Sequence, residues 1–282
     1  LKARLKGNHQ PIFYPVSLGG ALQARFVLRR HFEAMPPPMP LSEPLVYGPS
    51  FGEKCEAAVV WLHGFDDGPE GWAETLSPLR ELRDWWVWIH LRAPLLPQTC
   101  YRGARVAAWG DFEDTGCVHV GSKDHEATDS AGYYSSTVAA VHQCLQALER
   151  DRGVPPEQVV LAGFSQGAAC ALLGALSYPR RLGGCVALSG WLLPQARKAL
   201  MSSVNRDMPV LLCHGTVDSA VSFDCGALAA QILRQGGMNV QFESFDGLGH
   251  VFCEGEEDLV GQFLTDTLEA EADAEDDDED DD

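Results

Sequence analysis

Gln158-Val159-Val160-Leu161-Ala162-Gly163-Phe164-Ser165-Gln166-Gly167-Ala168-Ala169-Cys170-Ala171-Leu172-Leu173 decides the fold. After Gln158 the run Val159-Val160-Leu161-Ala162 is apolar and begins with two β-branched residues, as suits a buried strand. The last six read as a helix. Between them stands G-x-S-x-G, and strand, G-x-S-x-G, helix is the arrangement of a nucleophile elbow. Two glycines let the chain reverse sharply with the serine in a strained conformation. The turn lifts the hydroxyl above the sheet, and the N–H groups that follow it at a helix N-terminus can hold an oxyanion. The pentapeptide alone is weak: with 28 glycines in 282 residues, it would arise by chance in roughly one such chain in six. Its flanks carry the reading.

A serine nucleophile needs a base, and the base needs an orienting acid. Met208-Pro209-Val210-Leu211-Leu212-Cys213 reads as the next buried strand but one. It leads into His214-Gly215-Thr216-Val217-Asp218, so Asp218 falls just past the strand's C-terminal end. The alternating Asn239–Phe245 is the following strand and ends in Asp246-Gly247-Leu248-Gly249-His250. Ser165, Asp218 and His250 therefore come in the chain order expected of a hydrolase triad on an alternating β/α fold. His214 is expected to pack or bond locally, Asp224 to cap a helix, and Asp246 to serve a turn. Ala57–Leu62 is an earlier strand, and the loop His63-Gly64-Phe65-Asp66-Asp67-Gly68 follows it. The N–H groups of Phe65 and Gln166 are the expected oxyanion donors.

These pieces together resemble the acyl-protein thioesterase / lysophospholipase-carboxylesterase family of α/β-hydrolases. Trp61–Gly68 resembles its oxyanion loop. Leu91-Arg92-Ala93-Pro94 and Trp109-Gly110-Asp111 resemble its arginine-proline and tryptophan-x-aspartate segments. Gly163–Gly167 has the family's Phe-Ser-Gln core, Ala187–Leu192 resembles the next strand, and Cys213–Asp218 with Gly247–His250 complete the set. The likeness spans roughly residues 55–269. Ala168 departs from it where a further glycine is usual. Leu95–Ala108 also departs, where the family shapes its acyl channel, so the resemblance leaves acyl length open.

The remaining elements fit an α/β-hydrolase: a mainly parallel sheet with helices on both faces. Strands are expected at 57–64, 85–91, 158–163, 184–189, 208–213 and 239–245. Helices are expected near 71–83, 128–150, 166–178, 224–236 and 255–270. The catalytic domain is set at 55–268, between an N-terminal extension with a Pro-rich connector (1–54) and an acidic tail (269–282). Starting at Leu1, the sequence is expected to lack its original N-terminus. Up to Arg30 the extension has six basic and no acidic residues, which suits either an organelle-targeting segment within 1–34 or a family-specific strand and linker. The tail holds eleven acidic residues in fourteen, and removing them takes the net charge from −19 to −8. Such a block is solvated and solubilising, or recruits a basic protein partner. It argues against nucleic acid and leaves peripheral membrane contact at most. No run of eighteen apolar residues is present. Nine scattered cysteines without C-x-x-C spacing read as reduced thiols rather than a disulfide framework or a zinc site, which favours the cytoplasm.

The chemistry implied is acyl transfer through an acyl-enzyme, with no metal or organic cofactor. The resemblance implies S-acyl-protein deacylation with lysophospholipase side activity. The acyl pocket is expected to be apolar with Phe65 and Trp109 near it; core packing is the competing role for Trp109. A broad short-chain carboxylesterase is the alternative. A non-catalytic scaffold working through its tail has no need of the constellation.

Overall fold

Six runs become six adjacent parallel strands: five are buried at nearly every residue and lie between two layers of helices, while the sixth, Val240–Phe245 at the sheet edge, alternates and is only partly buried. The computed structural model describes residues 40–269; the extension up to residue 39 and the acidic run from residue 270 lie outside them. In chain order the elements are β1 (Ser42–Tyr47), β2 (Ala57–Leu62), α1 (Pro69–Thr75), α2 (Ser77–Arg80), β3 (Trp86–Arg92), β4 (Leu95–Pro97), β5 (Arg105–Ala107), α3 (Tyr133–Arg152), β6 (Val159–Phe164), α4 (Gln166–Ser177), β7 (Gly184–Leu188), α5 (Pro194–Leu200), β8 (Val210–Gly215), α6 (Phe223–Gln235), β9 (Val240–Phe245) and α7 (Glu254–Leu268). The main sheet runs β1-β3-β2-β6-β7-β8-β9. Only β1 is antiparallel to its neighbour. The order reverses direction at β2 and β6, so the C-terminal ends of these central strands open a crevice suited to a ligand.

Alternate strand residues serve opposite faces. Val60, Leu62, Leu161 and Ala187 pack under α3, α4, α5 and α6. Val59, Trp61, Trp88, Ala162 and Val186 pack under α1, α2 and α7. Burying each large apolar side chain contributes about 1.5–3 kcal/mol, so both helix layers stabilise the sheet.

The short elements β4, β5 and α5 lie outside the sequence expectation, and four further features depart from it. β1 lies inside the stretch assigned to the N-terminal extension, yet pairs with β3. The helix expected at 71–83 is two short helices, interrupted before Ser77-Pro78. Helix α3 starts at Tyr133 rather than 128, because the Asp129 carboxylate collects the N–H groups of Tyr134 and Ser135 at its first turn. Glu269, assigned to the tail, follows α7 directly and forms an ion pair with Arg83 (Nη2 to Oε2, 2.8 Å).

Candidate active site

Ser165 stands between the last residue of β6 and the first of α4, with φ 56° and ψ −121°. A serine in that region stores on the order of 1–3 kcal/mol of strain, and its neighbours explain why it is held there. A Cβ on Gly163 would lie 2.6 Å from the Gly167 carbonyl, and one on Gly167 would lie 2.2 Å from the Leu62 carbonyl oxygen. Only glycine permits this backbone crossing. The Ser165 N–H is bonded to Leu188 O (2.9 Å), which ties the elbow to β7. As the first residues of a twelve-residue helix, Gln166 and Gly167 have no partner for their N–H groups within the helix. Ala168, the departure from the family pattern, is fully buried in the core under α4, and α4 is intact across it.

Asp218 lies beyond β8 and His250 beyond β9, and the two meet. His250 Nδ1 is 2.7 Å from Asp218 Oδ2. A carboxylate only accepts, so Nδ1 carries the hydrogen and Nε2 is left free for a proton. Asp218 Oδ1 accepts the N–H groups of Ala220 and Val221, both at 2.9 Å. Burial alone would push the Asp218 carboxyl up; the hydrogen bonds from His250 and the two amides outweigh it and hold the group below its usual range. The His250 ring packs on Phe164 at 4.8 Å between centroids. Nothing in the residues around Phe164 signals this role.

The other candidates fall where local chemistry puts them. His214 is buried and donates from Nε2 to Val221 O (2.9 Å), and burial lowers its pKa. Neutral, it stands 3.5 Å behind Asp218 Oδ2. Asp246 sits in the turn after β9 and accepts the hydroxyl of Thr216 from the neighbouring loop after β8 (3.2 Å). Ser222, not Asp224, is the N-cap of α6, and Asp224 sits in its first turn.

A cleft of about 570 Å³ gathers Ser165, His250 and Phe65. The loop after β2 comes close to the serine: a Cβ on Gly64 would be 3.7 Å from Ser165 Cβ. Phe65 stacks edge-on to Phe112 (4.7 Å) and near Tyr101 (5.9 Å), forming an aromatic wall. Val118, Phe164 and Val221 extend the apolar surface, while Asp66, Asp67 and Asp114 add carboxylates. The cleft is thus only partly the apolar pocket expected. Trp109 is a correction: it is fully buried and does not line the cleft. It supports the loop from beneath, donating from its indole Nε1 to His63 O (2.7 Å). A second hollow of about 530 Å³, near Leu182, Met208 and Phe263, opens at the opposite, N-terminal ends of the strands. It contains no serine, cysteine or histidine, and so lacks the residue types that the first cleft gathers.

A family model described as Phospholipase/Carboxylesterase matches residues 50–268. Acyl-protein thioesterase 1 of Neurospora crassa is 32% identical over 77% of this chain and 89% of its own length. Acyl-protein thioesterase 1 homolog 1 of Dictyostelium discoideum is 32% identical over 75% and 91%. Among solved structures, Arabidopsis thaliana SOBER1 superposes with a TM-score of 0.66 at 31% identity, covering 75% of this chain and 99% of that one. Zea mays acyl-protein thioesterase 2 gives 0.65 at 30%, covering 80% and 99%.

Proposed function

The chain belongs to the phospholipase/carboxylesterase family and is a serine hydrolase of the thioesterase and esterase class, and we propose that its reaction is removal of long acyl chains from protein cysteines. Ser165 Oγ attacks the thioester carbonyl while His250 Nε2 takes its proton. Asp218 holds the imidazole in that tautomer and stabilises the imidazolium. The N–H groups of Phe65 and Gln166 receive the oxyanion, a contribution of about 3 kcal/mol per donor. The cysteine thiol leaves with the proton from His250. Water, activated by the same histidine, then hydrolyses the acyl-enzyme.

The observation that carries this reading is the strained Ser165 at the mouth of a cleft it shares with His250, whose other nitrogen is bonded to Asp218 at 2.7 Å. The aromatic wall of Phe65, Tyr101 and Phe112 offers apolar surface to an acyl chain, and a lysophospholipid could present its acyl ester to the same groups. Among the described residues no helix is long and apolar enough to cross a membrane. All nine cysteines are free, which suits a reducing compartment, and we assign the protein to the cytoplasm with peripheral membrane contact at most. A basic protein partner for the acidic tail is part of the same proposal.

The test is hydrolysis rate against acyl length, from acetyl to palmitoyl, on matched thioesters and oxyesters, with Ser165→Ala as control. A Ser165-dependent rise toward long thioesters is the expected result. A maximum at short oxyesters would make the protein a general carboxylesterase.

A further inference from the structure

We propose that Trp109 and the side chain of Gln166 form one buried strut that fixes the spacing of the two oxyanion N–H groups, which makes both of them positioning residues. The proposal rests on the assignment of Phe65 and Gln166 as those donors. The donors sit on different loops, one after β2 and one at the start of α4. Trp109 comes from a third segment, beyond β5, and its bonds land on both loops. Its indole Nε1–H donates to His63 O at 2.7 Å, and its backbone N–H donates to Gln166 Oε1 at 2.9 Å. The far side of the strut is anchored as well. Trp109 O accepts the Thr137 hydroxyl of α3 at 2.7 Å. Gln166 Nε2 donates to Gly110 O at 3.3 Å and lies 3.3 Å from the Tyr134 hydroxyl.

Packing alone does not account for this pattern. Any buried tryptophan needs partners for its indole and its backbone; here those partners lie on both donor segments, His63 on one and the Gln166 side chain on the other. Gln166 is fully buried, and a buried amide with both its oxygen and its nitrogen engaged has a single low-energy orientation. That orientation sets the first turn of α4, and with it the Gln166 N–H. At the other end, the His63 carbonyl belongs to the peptide just ahead of Gly64 and Phe65. The His63 ring is also fixed: Nδ1–H donates to Gly64 O (2.7 Å), and Ala93 N–H donates to Nε2 (3.1 Å). The loop between them is therefore clamped by Trp109 on one side and by β3's exit on the other. Preorganised donors are effective only if they need no rearrangement during the reaction.

The variants are Trp109→Phe, which keeps an aromatic ring but removes the indole N–H, and Gln166→Met, which keeps side-chain length and the backbone N–H. They are compared singly and together in the full chain, with melting temperature as the folding check. The readouts are kcat and KM on a chromogenic acyl ester and the inhibition constant of an acyl trifluoromethyl ketone, whose adduct with Ser165 carries an oxyanion. Each single variant is expected to lose about 10- to 100-fold in kcat, the scale of a misplacement near 1 Å, with KM unchanged. The inhibitor should weaken by the same factor. The double variant should be little worse than the poorer single one, because both residues belong to one strut. Wild-type kcat and inhibitor affinity in folded variants would overturn the strut while Ser165→Ala is inactive. Turnover retained by Ser165→Ala would instead overturn the active-site assignment, and the strut with it. If Trp109→Phe does not fold, Gln166→Met decides by the same readouts.

Discussion

Glu256 offers a stability test that reaches the site from behind. It lies in the first turn of α7, six residues after His250, and is fully buried. Its Oε2 accepts the Cys253 N–H at 3.2 Å, while Oε1 is buried without a partner. Burial raises its pKa from 4.5 to about 7; the Cys253 hydrogen bond opposes the rise and the charge of Asp218 adds to it. Between these two values the folded chain holds a proton that the unfolded chain has released. Stability from this group is therefore complete below about 4.5 and is lost as pH rises through about 7. Each pH unit in the window is worth about 1.4 kcal/mol. Glu256→Gln keeps the shape and the capping acceptor but cannot ionise. Its orphaned amide N–H adds a cost that does not vary with pH. Urea unfolding of both proteins at about pH 5.5 and 8.5, clear of the isoelectric point near 4.7, isolates the effect. The wild type should lose roughly 2 kcal/mol relative to the variant across that interval. Stability curves that stay parallel would refute the reasoning and mean that Glu256 is ionised, or hydrated, throughout.

Other outcomes follow from the geometry. Ser165→Ala should reduce ester turnover on the order of a million-fold and abolish covalent labelling by a fluorophosphonate, read by mass spectrometry. Asp218→Asn should preserve the fold but lower kcat about 10⁴-fold, because an amide can turn its N–H toward His250 Nδ1 and reverse the tautomer; steady-state kinetics check it. Gly167→Ala would put a methyl carbon 2.2 Å from the Leu62 carbonyl oxygen and 2.4 Å from that of His63. Neither backbone group can give way, so chemical denaturation should show a loss at or above the usual overpacking cost of about 1–3 kcal/mol. Gly71→Ala is the contrast: that position in α1 has open space, and the same assay should show a gain of about 0.5–1 kcal/mol.

The sequence revealed most where burial is complete. Ala57–Leu62 and Val159–Phe164 are buried at every residue, so each reads as an unbroken apolar run. The candidate triad was legible for a related reason: Ser165 follows its buried run directly, and Asp218 and His250 lie a few residues past β8 and β9, where a parallel sheet delivers its loops to one edge. The edge strand β1 was not legible. Ser-Glu-Pro-Leu-Val-Tyr is exposed at both ends and becomes a strand only because β3 offers it a partner. α5 spans only Pro194–Leu200, too short to show a helical period. Which of its two roles Trp109 takes, pocket wall or core, is not legible, because its depth depends on His63 and Gln166, residues remote from it in sequence. Glu256 looks like a surface glutamate in Glu-Gly-Glu-Glu-Asp; the spacing from Cys253 hints at a capping box, but nothing local signals its burial.

The parts of this enzyme separate by how they are built. The proposed reacting groups are held by backbone crossings and buried polar contacts: Gly167 against Leu62, Trp109 against His63, Asp218 against the amides of its own turn. A change to any of these meets a backbone atom or leaves a buried polar group unpaired, and the cost is large. The wall of the cleft is different. Tyr101, Asp114 and Cys117 come from loops, are exposed or half-exposed, and line the cleft beside the serine without bonding to the triad. Substitutions there change the shape and charge that a substrate meets while leaving the serine, histidine and aspartate in place. Selectivity for acyl length should therefore move with the 98–118 segment and leave the hydrolytic step intact. Exchanging Tyr101 for alanine is expected to alter the ratio of long- to short-chain kcat/KM more than the rate on the better substrate. An equal loss on every chain length would show that this wall contributes to the chemistry itself.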